Sequence, residues 1–485
     1  MDKPSKVLIR VENLKQYFPI GKTGFLGKEQ LYVKANDDIT LEIYEGETLG
    51  LVGESGCGKS TLGRTLLQLY TQTDGCTMYY GKSLYELGPQ YVLRTLKSLN
   101  AKKKELIKLK DKEKKLYDKY EALPEGDEKY KVLSKYRDME KTARTHERQL
   151  AQLIGGFLIL DDFGEITELL IKEYTLKTDL IKARKSKDKD ANQEAIKHKE
   201  KALEEVERSV NQFKEKYAKD ESFQFYEKFK DSGIDLARLE VEEMRKLRKD
   251  MQLIFQDPYS SLNPRMSVGQ IISEGLTAHE MYQKFDQNMQ DYVLEVMDKC
   301  GLANYFIHRY PHQFSGGQRQ RIGIARSVAL QPKFMVCDEA VSALDVSIQS
   351  QIINLLLDLK EQENLTYLFI SHDLSVIKYI SDRVGVMYLG NIVELAETQE
   401  LYKQPMHPYT EALFSAIPTT DVGSGKKKRE ILEGDIPSPI RPPSGCKFHT
   451  RCKYATDICR KITPEFEEVQ KGHFVACHHK LNTNN

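Results

Sequence analysis

A glycine-rich stretch near the start of the chain constrains the fold more than any other feature, and it reads Gly53, Glu54, Ser55, Gly56, Cys57, Gly58, Lys59, Ser60, Thr61. A buried strand-like run, 47–52, precedes it, and a run with helical apolar spacing, 62–69, follows it. The glycines let successive backbone N–H groups point inward, and the helix N-terminus adds its dipole. The stretch therefore predicts a phosphate-binding loop, in which Lys59 reaches the β- and γ-phosphates and the Ser60 hydroxyl ligates Mg²⁺.

Composition limits the partners of the chain. Its 485 residues leave room for about three domains of about 150 residues each. Lys and Arg (73) nearly balance Asp and Glu (72), so the formal net charge of +1 gives no global attraction to nucleic acid or to an anionic membrane. No run approaches the roughly 18 apolar residues of a spanning helix. We therefore expect a cytosolic chain that reaches a membrane only through a protein partner.

Short β-like runs separated by turns surround the start of the glycine loop, at 7–11, 31–35, 39–43 and 48–52. Phe18 falls in the first connection. An aromatic ring at this place has two interpretations, stacking on an adenine face or packing in the sheet core, and the sequence leaves both open.

A helical block interrupts this pattern between residues 91 and 239, where Lys, Glu and Leu dominate and glycine is scarce. Two apolar stripes follow a 3-4 spacing on either side of Pro124–Gly126, at Leu99, Leu106, Leu109, Leu116, Tyr120 and Leu123, then at Val132, Tyr136, Met139, Ala143, Leu150 and Leu153. The spacing predicts two amphipathic helices that fold back on each other as an antiparallel coiled-coil hairpin.

A second glycine motif follows the helical block and consists of Ser315, Gly316, Gly317 and Gln318. Ser315 resembles an N-cap, and the glycines leave backbone N–H groups uncovered beside it. The motif therefore predicts a second anion site, at a helix N-terminus.

Several polar side chains follow apolar, strand-like runs. Gln256 comes after one such run and is placed where its amide can reach a metal or an attacking water. Asp338 and Glu339 end another, where Asp338 can hold Mg²⁺ and Glu339 can polarise water. His372 follows a third and is placed to sense a γ-phosphate, although a lone histidine is more often structural.

In this order, the glycine loop, Gln256, the Ser-Gly-Gly-Gln motif, Asp338-Glu339, the run from Ser342 to Asp345 and His372 resemble the nucleotide-binding subunit of ABC transporters. The match covers about 1–90 and 240–400. Further motifs are similar to the F-type ATP-binding subunits of oligopeptide and dipeptide importers, namely Phe255-Gln256-Asp257-Pro258, Pro311-His312-Gln313-Phe314, His407-Pro408-Tyr409-Thr410 and Gly445-Cys446-Lys447-Phe448.

The resemblance implies an α/β P-loop NTPase fold. It implies an ABC ATPase domain at 1–90 and 240–400, a large helical insertion at 91–239, and a small cysteine-containing C-terminal domain at 401–485. Glu339 would be the general base, with Gln256 and His372 beside it. Mg²⁺ would be held by Ser60, Gln256 and Asp338. ATP would contact Phe18, the whole glycine loop, Gln256, Ser315, Gly316, Gly317, Gln318 and Asp345.

The same resemblance implies the setting of this ATPase. It would power oligopeptide uptake from the cytoplasmic face of the cell membrane, as a peripheral subunit. Its partners would be a second, D-type ATPase in a heterodimer, two transmembrane permease subunits and, indirectly, an extracellular peptide-binding protein. Nucleic acid would not be a partner.

The alternative is an ABC-type DNA-repair or chromosome ATPase, because those proteins also combine an ABC head with helical hairpins. As the resemblance implies, they insert the coiled coil between the glutamine and the signature motif. Here those positions are only 59 apart (315 − 256 = 59), whereas Lys59 and Gln256 are 197 apart (256 − 59 = 197). The placement of the extra sequence favours the importer.

Four of the eight cysteines lie in a Pro-rich region near the end of the chain, at Cys446, Cys452, Cys459 and Cys477. Four thiols in a region with little apolar surface suggest a metal site that supplies folding free energy. A [4Fe–4S] cluster and Zn²⁺ both take four thiolates, although zinc sites usually show tighter cysteine pairs. Reduced thiols packed as small apolar groups are the third interpretation, and all three stay open.

Overall fold

The computed structural model of the chain describes residues 6–23, 29–185, 193–284, 286–416, 432 and 434–483. The strands in these ranges are β1 (Val7–Thr23), β2 (Glu29–Tyr44), β3 (Thr48–Val52), β4 (Asp74–Tyr79), β5 (Ile234–Asp235), β6 (Met251–Ile254), β7 (Phe334–Asp338), β8 (Thr366–Ile370), β9 (Arg383–Tyr388), β10 (Asn391–Glu397), β11 (Glu467–Gln470) and β12 (His473–Val475).

The helices in the same ranges are α1 (Lys59–Leu66), α2 (Leu84–Leu87), α3 (Gln90–Lys97), α4 (Leu99–Ala122), α5 (Asp127–Ile154), α6 (Gly164–Lys185), α7 (Gln193–Tyr217), α8 (Glu221–Glu227), α9 (Val241–Leu247), α10 (Val268–Ala278), α11 (Gln287–Lys299), α12 (Gly316–Val328), α13 (Val346–Glu363), α14 (Leu374–Ile380), α15 (Thr398–Lys403), α16 (Pro408–Ser415) and α17 (Asp457–Lys461). None of the helices in the described part of the chain is long and apolar enough to cross a bilayer.

The chain divides into two compact units. The first comprises Met1–Arg10, Leu14–Asp74 and Arg245–Asn485, and the second comprises Val11–Asn13 and Gly75–Met244. The region 91–239 lies inside the second unit, and the region 401–485 lies inside the first.

An eight-stranded sheet forms the centre of the first unit, in the order β11-β12-β10-β9-β3-β8-β7-β6. The five strands from β9 to β6 pair in parallel, and β10, β12 and β11 add antiparallel strands at one side. Strands β3, β7 and β8 are buried along their whole length, as expected for parallel strands covered on both faces. The predicted α/β P-loop fold is confirmed.

The first two strands of the chain are longer than the sequence suggests. The predicted runs 31–35 and 39–43 are both part of β2, and β1 continues through Phe18, which was expected in a connection. Asn13 and Asp38 take left-handed backbone conformations within these strands, with φ of 51° and 70°. Asn and Asp tolerate this conformation better than most residues, so the strands can bend there and continue.

Helices α2 to α8 build most of the second unit. Two of its long helices, α4 and α5, pack side by side across the turn at 123–126, with the rings of Tyr117 and Tyr136 5.3 Å apart and Lys110 paired with Glu147. Phe157 is fully buried at the base, against the rings of Phe213 (6.3 Å) and Phe223 (5.6 Å).

The two helices α4 and α5 form a hairpin, but this hairpin is not a coiled coil. On α4, the buried residues are Leu99 and Leu106, and the outer stripe residues Leu109, Leu116 and Tyr120 are only half-buried. A coiled-coil seam needs apolar side chains that insert into the facing helix along its whole length. The coiled-coil prediction is therefore not supported.

The base of the second unit includes a strand pairing. Strands β4 and β5 run antiparallel, with Tyr79 opposite Ile234. Directly opposed residues of this kind can be joined by a two-residue turn, for which Asn-Gly is favoured.

We therefore expect that replacing residues 80–233 with Asn-Gly yields a folded chain whose affinity for ATP stays within about threefold of the full-length value, because the residues predicted to bind ATP belong to the first unit. Equilibrium ATP titration and thermal unfolding of both chains check this. A shortened chain that no longer folds would instead place these helices in the folding core.

Candidate nucleotide-binding site

The glycine loop connects the carboxyl end of β3 to the start of α1. Gly53, Gly56 and Gly58 all take positive φ values, of 147°, 79° and 105°. A Cβ added at Gly53 would lie 2.2 Å from the Met387 carbonyl oxygen, and one at Gly58 would lie 2.1 Å from the Ala35 carbonyl oxygen. Only glycine fits both the conformation and the space at these two positions.

Lys59 lies across this loop. Its side-chain nitrogen donates to the carbonyl oxygens of Gly53 (2.8 Å) and Glu54 (3.2 Å), and the residue is 6% exposed. A buried cation beside inward-facing N–H groups at a helix N-terminus is the arrangement that binds phosphate oxygens. The loop therefore fits the phosphates of a nucleotide.

Ser60 and Asp338 meet beside the loop. The Ser60 hydroxyl donates to Asp338 Oδ1 at 2.6 Å, and Arg64 Nη2 donates to Asp338 Oδ2 at 3.2 Å. Asp338 is 1% exposed, so its carboxylate has little water around it. Mg²⁺ is usually held by one or two carboxylates together with substrate phosphates. The hydroxyl and carboxylate oxygens present here fit that ion.

Three predicted catalytic side chains follow neighbouring strands. Because β6, β7 and β8 are adjacent and parallel, their carboxyl ends meet at one edge of the sheet. Gln256 Nε2 donates to Glu339 Oε2 at 2.6 Å, and His372 Nδ1 lies 3.6 Å from Glu339 Oε1. The edge thus brings together the three residues that the sequence placed in separate segments.

The backbone of Glu339 is strained. Its φ is 49°, in the left-handed region that non-glycine residues rarely adopt, and its N–H donates to the Ile370 carbonyl oxygen on β8 at 3.0 Å. Such conformations cost about 1–3 kcal/mol and are concentrated at functional sites. The strain sets the direction of the Glu339 carboxylate relative to Asp338, the residue before it.

The second glycine motif begins α12, as predicted. Ser315 is the N-cap, and a capping box links it to Gln318, with Gln318 N–H donating to Ser315 Oγ (3.4 Å) and Ser315 N–H to Gln318 Oε1 (3.1 Å). Ser315 and Gly316 are exposed, whereas Gly317 is buried, and a Cβ at Gly317 would lie 2.4 Å from Ile348 Cγ2. This helix N-terminus is accessible to an anion on an outside molecule.

Phe18 and Asp345 lie at the margins of the predicted site. Phe18 is half-buried on β1, and its ring packs edge-on against Tyr70 with the centroids 5.2 Å apart. Asp345 precedes α13, and its side chain is exposed and makes no capping hydrogen bond to the first turn.

Two residues contact the glycine loop in a way that the sequence did not indicate. Arg451 donates to both carboxylate oxygens of Glu54, at 2.7 and 3.0 Å, and the Tyr409 hydroxyl accepts from the Glu54 N–H at 2.9 Å. Arg451 and Glu54 are 397 positions apart, so no local spacing pattern could have linked them.

The four C-terminal cysteines do not form a metal site. Cys459 and Cys477 are buried and Cys446 and Cys452 half-buried, all as free thiols. Burial raises the pKa of Cys446 to about 11 and that of Cys477 to about 12, and the neighbouring cysteines add to both shifts. Across the residues that the structure describes, no group of three or more His, Cys, Asp or Glu side chains could hold a metal ion, so neither the [4Fe–4S] cluster nor the zinc prediction is supported.

Family models match two parts of the chain. Residues 36–158 and 223–342 match the family model described as ABC transporter, and residues 393–459 match the one described as oligopeptide/dipeptide transporter, C-terminal region. A solved structure described as the dimeric structure of a bacterial ABC transporter cassette has a TM-score of 0.44 and 16% identity, covering 81% of this chain and 99% of that one.

Two curated relatives extend the match. The oligopeptide transport ATP-binding protein AppF of Bacillus subtilis is 36% identical over 475 residues, which is 98% of this chain and 97% of that protein. The oligopeptide transport ATP-binding protein OppF of Haemophilus influenzae is 51% identical over 246 residues, which is 50% of this chain and 74% of that protein. The AppF alignment is long enough to extend through the helical insertion. The chain therefore belongs to the ABC transporter family, as an ATP-binding protein of the oligopeptide/dipeptide transporter type.

Proposed function

We propose that this chain is the ATP-hydrolysing subunit that powers the uptake of oligopeptides through a membrane ABC importer. The observation that supports this most is the meeting of Gln256, Glu339 and His372 at the sheet edge that also carries the glycine loop and the Ser60–Asp338 pair. These are the parts that hydrolysis of a Mg²⁺-bound nucleoside triphosphate requires: a phosphate cradle, oxygen ligands for the metal and a base for water.

Each of these side chains has a separate role in the proposed reaction. Lys59 and the N–H groups of the loop would hold the phosphates, while Ser60 and Asp338, with Gln256, would hold Mg²⁺, which would neutralise charge on the phosphates. Glu339 accepts a proton from the attacking water, and the Gln256 amide, 2.6 Å away, fixes the carboxylate in place. His372 faces the other carboxylate oxygen of Glu339 and contacts the γ-phosphate.

The remaining predicted contacts complete the binding of ATP. Phe18 stacks on adenine, and Thr61 and the other loop residues surround the phosphates. We propose that a second ATPase head supplies the other side of the site, so that Ser315, Gly316 and Gly317 of one head, with Gln318, cap the ATP held by its partner. Asp345 lies beside that contact. The exposed N-cap of α12 supports this arrangement, because an anion from outside can reach the first turn of the helix.

We propose the same partners that the sequence suggested: a D-type ATPase subunit, two permease subunits on whose cytoplasmic side the heads sit, and indirectly an extracellular peptide-binding protein. In this proposal, 1–90 and 240–400 form the ATPase domain, 91–239 is an insertion and 401–485 is a C-terminal domain. The DNA-repair alternative is not favoured, because the α-helices in the described residues between Gln256 and Ser315 are the short α10 and α11, which do not form a hairpin of long helices.

Affinity purification of the tagged chain from membranes in mild detergent tests this assignment. The proposal expects two multi-span permease chains and a second ATPase to be recovered with it. The tagged Glu339→Gln variant should be purified in parallel, because slow hydrolysis should prolong the ATP-bound contact between the two heads and improve recovery of the second ATPase. Recovery of DNA-bound complexes without permease chains would contradict the proposal and favour the chromosome ATPase.

A further inference from the structure

A short C-terminal segment lies against the nucleotide site, and we call residues 446–452 the brace. Phe448 anchors it: the side chain is 2% exposed, and its ring packs 5.2 Å from that of Tyr388 and 5.3 Å from that of Tyr409. Aromatic contacts of this kind fix a segment firmly, because the rings are large and have few rotamers. The brace therefore presents its charged side chains in defined places.

Arg451 is the charged side chain of the brace that reaches the start of the glycine loop. It makes the bidentate pair with Glu54, and the two side chains are only 5% and 23% exposed. Because the Tyr409 hydroxyl also holds the Glu54 N–H, both the side chain and the backbone of the second loop residue are fixed from outside the loop. A planar guanidinium suits this contact, since it matches both carboxylate oxygens at once.

The other end of the brace reaches the strand that packs against the loop. Lys447 donates to Asp37 Oδ2 at 2.9 Å and to the Leu389 carbonyl oxygen at 3.0 Å. Asp37 N–H donates in turn to the Gly390 carbonyl oxygen at 2.8 Å, and Gly390 N–H donates to the Cys57 carbonyl oxygen at 2.9 Å. The brace thus supports the loop at two places, near its start and near its end.

We propose that Arg451 is a positioning residue for ATP, acting through Glu54; this rests on the ATP-binding role proposed above. Arg451 favours ATP binding through two effects. Fixing Glu54 before the nucleotide arrives lowers the ordering entropy that binding must otherwise overcome. Arg451 also neutralises a carboxylate that would otherwise stand unpaired in a loop built for phosphates and would repel them.

The test measures the dissociation constant of Mg-ATP and the kcat and KM of hydrolysis for the full-length chain and its variants. We expect Arg451→Met to raise Kd and KM about tenfold, the usual effect of losing a charge-assisted hydrogen-bonded pair, with kcat at saturating ATP nearly unchanged. Arg451→Lys should give Kd and KM values between those of the wild type and those of Arg451→Met. An ammonium group keeps the positive charge but lacks the planar, bidentate geometry of the guanidinium. Adding Glu54→Gln to Arg451→Met should recover part of the affinity by removing the repulsion.

Lys453→Met is the matched control. Lys453 is a half-exposed cation two positions further along that lies 3.8 Å from Glu411 and not at the loop, so this variant should bind ATP like the wild type. If Arg451→Met fails to fold in a thermal unfolding assay, Arg451→Lys decides in its place. The positioning role would be overturned if the wild type and the control bind ATP and the Arg451 variant binds it with a Kd within twofold of theirs. Absence of ATP binding in the wild type would overturn the proposed function instead.

Discussion

Replacing Glu339 by Gln should leave ATP binding intact and slow hydrolysis by about 10²–10⁴-fold, the usual contribution of a positioned general base. The amide keeps the size of the side chain but cannot accept the proton of the attacking water. Gln256 donates to the carboxylate at 2.6 Å and His372 faces its other oxygen, so the loss is one of proton transfer and not of local packing. Phosphate release by the assembled transporter and equilibrium ATP binding, measured on the same preparation, separate the two effects.

A matched control is available on α13. Glu361→Gln removes an exposed carboxylate that lies outside the site, and its turnover should equal that of the wild type. Turnover of Glu339→Gln within a factor of two of the wild type would remove Glu339 from the role of general base.

Replacing Lys59 by Ala should weaken ATP binding by about 10²-fold or more, because two or more charge-assisted hydrogen bonds to phosphate oxygens are lost together. The side chain is buried over the loop, and its ammonium group donates to the carbonyl oxygens of Gly53 and Glu54. The variant therefore loses both a cation and a support of the loop. Titration with a fluorescent ATP analogue, alongside thermal unfolding without nucleotide, checks this result.

Lys403→Ala, at an exposed position on α15, serves as the control for the loss of one positive charge. We expect its ATP affinity to match that of the wild type. A Lys59→Ala chain that is folded and still binds ATP with near wild-type affinity would show that the glycine loop is not the phosphate site.

The parts of the molecule that depend on neighbouring residues could be predicted from the sequence. The glycine loop needs positive φ at Gly53 and Gly58, and the N-cap of α12 needs Ser315 next to two glycines, so both motifs carry their own geometry. The grouping of Gln256, Glu339 and His372 was implied by the family resemblance, whereas the adjacency of β6, β7 and β8 that brings them to one edge is seen in the structure.

The parts that depend on distant contacts could not be predicted. The pair between Arg451 and Glu54 joins residues 397 positions apart, and neither residue type is unusual where it stands. The extent of β1 and β2 was misjudged for a different reason: Asn13 and Asp38 look like turn residues, but here they bend strands that continue. Four thiols in a region with little apolar surface suggested a metal site, and the residues that the structure describes do not support one.

The most direct test of the central claim is simultaneous measurement of peptide uptake and phosphate release by the transporter reconstituted in vesicles, with ATP on the side of this subunit. We predict that peptide accumulates only when ATP is hydrolysed, and that Glu339→Gln abolishes both signals while ATP remains bound. Peptide accumulation that continues at the wild-type rate with Glu339→Gln in place would contradict it.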